Sequence, residues 1–357
     1  MKKLLLTICT FLCLLFNAQL DTDHWFAPMA SKSGISNLQG YLYLSTNETT
    51  PFNVQIFNNN TLYTSVQVSK GNPAQVSIPN NFLITNNQSD LFTPNSMGVY
   101  LKGTKKFFAN YRFSVPSHAE IITSKGLAGL GKTFYVGMAP ITGAASYVNS
   151  TIGVTATEDN TNVVISGYNP NVVFSNGSSS PTKTFTLNKG QSYILDALST
   201  DSVMNLDGLI GAKIQSDKPV SVTNGNFNGI YTNLNFTNND ILMDQAVPVD
   251  RLGKEFVVVK GNGTIISEME TALIVATQNN TQITINGIAT GITLNEGQYY
   301  LVPSNNYIQH GTGDNYNMSI STNNNIYVYQ LLAGVAGPGF SGPNEYATGG
   351  MNFIPPL

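Results

Sequence analysis

The 357-residue chain has little cysteine, little charge and little histidine. Its two cysteines, Cys9 and Cys13, both fall inside an apolar leader, so the chain beyond it has none. That excludes a disulfide framework and a cysteine-ligated metal. Charged residues make up only 10%, too few for a solvated disordered tail. Seventeen basic residues stand against twenty acidic ones, for a net charge of −3 and no basic stripe. Nucleic acid is therefore not an expected partner. The three histidines, His24, His118 and His310, are far apart and lack a zinc spacing. No G-x-S-x-G elbow is present, so a hydrolase nucleophile of that type is excluded. No long segment carries a 3.6-residue period. The best helix candidate is His118 to Leu127.

The leader is the clearest local signal. Lys2 and Lys3 precede the apolar run Leu4 to Phe16, and Ala18 offers a small residue for cleavage. Residues 1–18 read as a secretory signal peptide, because the run is too short to span a bilayer comfortably. The expectation is an exported protein, secreted or surface-attached, with no transmembrane segment after signal removal. Without Lys2 and Lys3 its charge is −5.

Beyond the leader, four landmarks recur three times in one order. The first is an aromatic-apolar strand: Trp25 to Ala30, Phe134 to Ala139, and Phe256 to Val259. The second is a strand, a polar turn and a strand over residues 43–56, 153–165 and 273–285. Apolar residues alternate on both sides of that turn, which is hairpin patterning. The third places Gly71, Gly190 and Gly297 at one turn position, where a positive φ suits glycine. The fourth is a strand pair over 97–111, 210–225 and 317–331. The expected fold is all-β, with three related units of roughly 110–120 residues, each sandwich-like. The alternative is a β-propeller-like arrangement. The units are read as 19–117, 131–225 and 253–334, joined by connectors 118–130 and 226–252, with a Gly/Pro-rich tail at 335–357.

One motif points elsewhere. Gly126 to Thr133 fits the phosphate-loop pattern G-x-x-x-x-G-K-T, whose backbone amides cradle phosphates at the start of a helix. Here a strand pattern follows. Gly253-Lys254 also occupies the same place in the third unit without the rest of the motif. The Gly-Lys pair belongs to the repeat, and no nucleotide is expected.

The long connector is the favoured contact region, since irregular loops on a β scaffold commonly carry binding. Its rings Phe227, Tyr231 and Phe236 are expected to be exposed, and Asp240, Asp244 and Asp250 to join them as ligand-binding residues. No cofactor is expected. Asn238, Asn239, Asp240 and Asp244 do offer oxygens that could serve Ca²⁺. Further carboxylates at Asp196, Asp201, Asp207, Glu268 and Glu270 leave open a glycosidase using a carboxylate pair.

The order of TEDNTNVVI, TFTLNKGQSYIL, IGAKIQSDKPVSV, DQAVPVDRLGKEF and ALIVATQNNTQITI resembles the N-terminal domain of the IgGFc-binding protein family, from about Trp25 to Ala333. The resemblance implies an extracellular β-rich domain, as in Bacteroidetes-type surface proteins. A sorting domain often follows in such proteins, so one is expected only in a longer product. The Fc-binding activity is not carried over, because no residue here matches an Fc-contact motif. The expected function is a non-catalytic binding or adhesion module for an extracellular glycan or a mucin-like or surface protein. The alternatives are the glycosidase and a structural spacer.

Overall fold

The computed structural model describes residues 19–32, 38–115, 118–231, 239–261, 269–312, 315–333, 335–336, 346–347 and 349–357. The signal-peptide reading at 1–18 lies outside them. Among the described residues there is no α-helix, only strands and short 3₁₀ turns.

The strands form three successive groups. The first holds β1 (Asp21–Phe26), β2 (Met29–Ala30), β3 (Gln39–Ser45), β4 (Phe52–Asn58), β5 (Thr61–Val68), β6 (Ala74–Ser77), β7 (Ile84–Thr85), β8 (Val99–Val115) and β9 (His118–Thr123). The second holds β10 (Leu130–Tyr135), β11 (Asn149–Ala156), β12 (Thr161–Ser166), β13 (Thr182–Leu187), β14 (Ser192–Leu198), β15 (Lys213–Gly229) and β16 (Asp240–Gln245). The third holds β17 (Gly253–Val259), β18 (Glu270–Ala276), β19 (Thr281–Ile285), β20 (Ile288–Leu294), β21 (Tyr299–Val302), β22 (Ile308–Gln309) and β23 (Tyr316–Leu332). It also holds β24 (Val335–Ala336), β25 (Tyr346–Ala347) and β26 (Gly350–Phe353).

One plan repeats. The sheet orders are β5-β4-β8-β3-β6, β13-β12-β15-β11-β14 and β20-β19-β23-β18-β21. The fourth landmark is a single 17-residue strand in each unit, not two strands about a turn. Its first part pairs with the opening strand and the hairpin, and its last part with the third landmark's side of the sheet. Spanning both parts, it bends one sheet around one core. Each sheet thus curls over its own interior rather than forming a propeller blade.

Local chemistry repeats as well. The strands either side of the second landmark's turn do not pair with each other as a hairpin but flank the long strand. Asn160 and Asn280 take positive φ at that turn in the second and third units, and Asn60 does so in the β4–β5 hairpin, which explains part of the asparagine usage. Gly71, Gly190 and Gly297 have φ of 82°, 82° and 77°. Thr46, Thr157 and Thr277 each donate a hydroxyl across to the long strand, at the carbonyls of Lys106, Pro219 and Asn325.

Two expectations about the connectors change. His118 to Leu127 is not a helix: His118–Thr123 is a strand on the end of β8, and Gly126–Gly129 is a 3₁₀ turn. The alternation of His118, Glu120 and Ile122 with outward Ala119, Ile121 and Thr123 outweighed the weak helical reading. The 226–252 stretch is also not one irregular loop. Its start completes β15, and Asp240–Gln245 is a strand on the second sheet. In the tail, β26 plays the same part on the third sheet.

Candidate functional site: the uncovered outer face of the first unit

The sequence-derived site residues are placed first. Phe227 is fully buried and packs against Phe113 of the first unit at 5.8 Å between ring centroids. Tyr231 is buried too. Their expected exposure is therefore corrected: Phe227 fills the seam with the first unit, and Tyr231 is part of the buried core. Phe236 lies outside the described residues. Asp250 is exposed in a 3₁₀ turn beside Arg251, 3.9 Å away.

Asp240 and Asp244 form the polar hub of the molecule. Both are buried on β16. Asp240 accepts from His118 Nδ1 at 3.2 Å and from the Gly349 N–H at 2.7 Å. Asp244 accepts from Lys125 Nζ at 2.6 Å, its neighbour Gln245 N–H at 2.7 Å and the Phe353 N–H at 2.9 Å. Each carboxylate therefore ties the strand following one long strand to the segments following the other two. Their oxygens already hold donors, and Asn238 of the Ca²⁺ reading lies outside the described residues. Among the described residues no group of three His, Asp or Glu side chains is arranged to hold a metal. Glu120, on the same face of β9 as His118, lies near both. Burial pushes its carboxyl up to about 8, the two aspartates add repulsion, and the Ile121 N–H opposes.

The phosphate-loop match resolves structurally. Gly126–Gly129 is a 3₁₀ turn leading into a strand, with no helix to present amides. A Cβ on Gly131 would lie 2.2 Å from Pro248, and one on Gly253 2.4 Å from Pro356. The repeated glycine makes room for a repeated proline.

The repeat also shows how the units dock. Long-strand pairing of Ala109 with Leu44, Val222 with Val154 and Val328 with Ile274 aligns the three sheets. Tyr43, Gly153 and Leu273 then share one outward position. In the second unit this face is sealed by residues 28–32 of the first. A Cβ on Gly153 would fall 1.8 Å from Pro28 O, Thr151 Oγ1 accepts from Ala30 N–H at 3.1 Å, and Lys32 pairs with Asp196 at 2.8 Å. In the third unit it is sealed by the second. Leu273, Val275 and Tyr329 share a core with Tyr135, Val136 and Met138. The Tyr327 hydroxyl donates to Val247 O at 2.7 Å.

Among the described residues, no segment crosses the same face of the first unit. Tyr41 and Tyr43 are half-buried there, with ring centroids 6.5 Å apart. The Arg112 guanidinium lies 4.4 Å above the Tyr43 ring, and it joins no ion pair among the described residues. Gln39, Gln75 and Ser77 are exposed beside them. Together with β9 and Asn352 of β26, this face walls an open cleft of about 730 Å³. Sequence reasoning missed it because Tyr41 and Tyr43 sit in a regular strand. The available signal was Tyr-Leu-Tyr-Leu where the other copies read Thr-Ile-Gly-Val and Thr-Ala-Leu-Ile.

Comparison with known proteins adds one positive result. Residues 122–357 match the IgGFc binding protein family. The chain belongs to this family. The match covers the second and third units and the tail. The first unit, where the resemblance began at Trp25, lies outside it but repeats the strand plan. IgGFc-binding domains are binding domains rather than a known enzyme family. No curated protein matches the chain. Among solved structures, an anti-sigma factor domain-containing protein aligns over 93% of this chain and 80% of its own, at 10% identity and TM-score 0.16. A second, from Clostridium clariflavum, aligns over 94% and 83%, at 11% identity and TM-score 0.16. Scores this low bear on neither fold nor function. No helix among the described residues is long and apolar enough to cross a membrane.

Proposed function

We propose that this chain is an exported, non-catalytic binding module of a secreted or cell-surface protein, and that it meets its ligand on the outer face of the first unit. The observation that carries this reading is the repeat. Two equivalent faces are sealed by a neighbouring unit, while among the described residues the first is crossed by none and bears Tyr41, Tyr43 and Arg112. An end unit needs only a polar cap for solubility. Two adjacent half-exposed tyrosines and an unpaired arginine exceed that need and form a concave site at a seam between units. Family membership supports binding over catalysis, and the leader at 1–18 supports export. Asp240 and Asp244 support a structural role more than a glycosidase pair, since both are held by fixed donors.

The test compares residues 19–357 with a Tyr41→Ala/Tyr43→Ala variant in retention on intact cells and immobilised mucin. The proposal expects retention by the parent and at least about tenfold weaker retention by the variant, with thermal stability little changed. Equal retention would sink it.

A further inference from the structure

We propose that the open face of the first unit binds an acidic oligosaccharide, with Tyr41 meeting a sugar ring and Arg112 holding a carboxylate. This rests on the preceding reading of the face as the contact surface and names its ligand class.

The geometry favours a sugar over a protein surface. Tyr41 and Tyr43 share one side of β3 and present apolar rings with polar tips. Around them stand Gln39, Gln75, Ser77, Asn110 and Thr123, all on outward positions of the same half-sheet. These side chains both donate and accept, as a chain of hydroxyls requires. Ile121 is the one exposed large aliphatic among them, so the face lacks the apolar centre of a protein interface. An extended peptide is also disfavoured. Both edges of β3 are taken by β6 and β8, so strand addition cannot occur beside the rings and is limited to the outer edge of the four-residue β6.

Arg112 sets the sign of the ligand. Lying on the Tyr43 ring fixes its plane and leaves its N–H edges for a planar anion. Among the described residues lining the cleft, Arg112 is the one basic side chain and Glu120 the one acidic side chain, with its carboxyl pushed toward the neutral form by burial. Asp244 nearby is paired with Lys125. On a chain whose net charge is negative, the stacked guanidinium of Arg112 therefore offers an acidic ligand a fixed cation at this place.

The experiment titrates residues 19–357 calorimetrically with hexagalacturonate, its methyl ester and a neutral galacto-oligosaccharide. Expected is binding of the acid, weakened by salt, and at least about tenfold weaker binding of the ester and by Arg112→Ala. Arg112→Lys recovers only part, because an ammonium cannot pair bidentately. Ester or neutral sugar binding as tightly as the acid overturns the acidic class. No sugar binding, with cell retention still lost in the tyrosine variant, overturns the glycan inference but leaves the contact surface standing. No sugar binding and unaltered retention overturns both.

Discussion

Replacing Asp244 by alanine separates a structural hub from a ligand site. The carboxylate holds Lys125 Nζ at 2.6 Å, the Gln245 N–H at 2.7 Å and the Phe353 N–H at 2.9 Å. The side chains of Lys125 and Asp244 are each only 12% exposed. Removing the acid strands a largely buried ammonium and two amides. Breaking such a pair from one side costs about 3–5 kcal/mol. At the lower end of the usual sensitivity for large chains, about 2 °C per kcal/mol, Asp244→Ala lowers Tm by about 6–10 °C. Lys125→Met leaves the carboxylate with both amides and costs less. The double variant Lys125→Met/Asp244→Ala falls short of the sum of the single losses, since no buried ammonium remains. Differential scanning calorimetry of the four proteins gives the comparison. A Tm within about 2 °C of the parent for Asp244→Ala would refute the hub. Lost cell retention at unchanged Tm would return Asp244 to the ligand site.

Other consequences follow from single positions. Gly153→Ala drives a methyl into Pro28 O, so the first seam loosens by about 1–3 kcal/mol. Gly71→Ala meets open space and costs only its positive φ, about 1–2 kcal/mol, with no change at the seam. Protease nicking between the first and second units reads that difference. Glu120 keeps its proton to about pH 8 when folded but has an ordinary value of 4.5. The folded chain binds more protons across that window, so this group makes stability fall as pH rises from 4.5 to about 8, by about 1.4 kcal/mol per pH unit. Glu120→Gln flattens that slope in urea titrations, and an unchanged slope would count against its burial. Acidic-sugar binding also weakens in the parent above about pH 8, where ionised Glu120 opposes the ligand, and persists in Glu120→Gln.

The all-β class and the threefold repeat were legible because strand alternation and turn glycines are local signals. Gly71, Gly190 and Gly297 have the positive φ that their turn position implies. The twin pair Gly253-Lys254 identified Gly131-Lys132 as a repeat feature, and the structure supplies the proline each glycine accommodates. The placement of Phe227, Tyr231, Asp240 and Asp244 was not legible. An aromatic or acidic residue in a connector reads the same whether it faces water or a neighbouring unit, and only tertiary packing decides. Tyr41 and Tyr43 were hidden for the opposite reason. Alternation marks one side of a strand as outward but does not say whether another unit covers it. Only the difference between sealed and open copies makes them stand out.

The most direct test of the account blocks the open face without altering its rings. Residues 19–357 contain no cysteine, so Ser77→Cys, opposite Tyr41 on β6, can be labelled alone with a bulky maleimide polymer. Ile288→Cys, 73% exposed on the third unit, is the control. The account predicts that the label at residue 77 abolishes retention on cells and the label at 288 leaves it intact. Full retention with residue 77 labelled would contradict it.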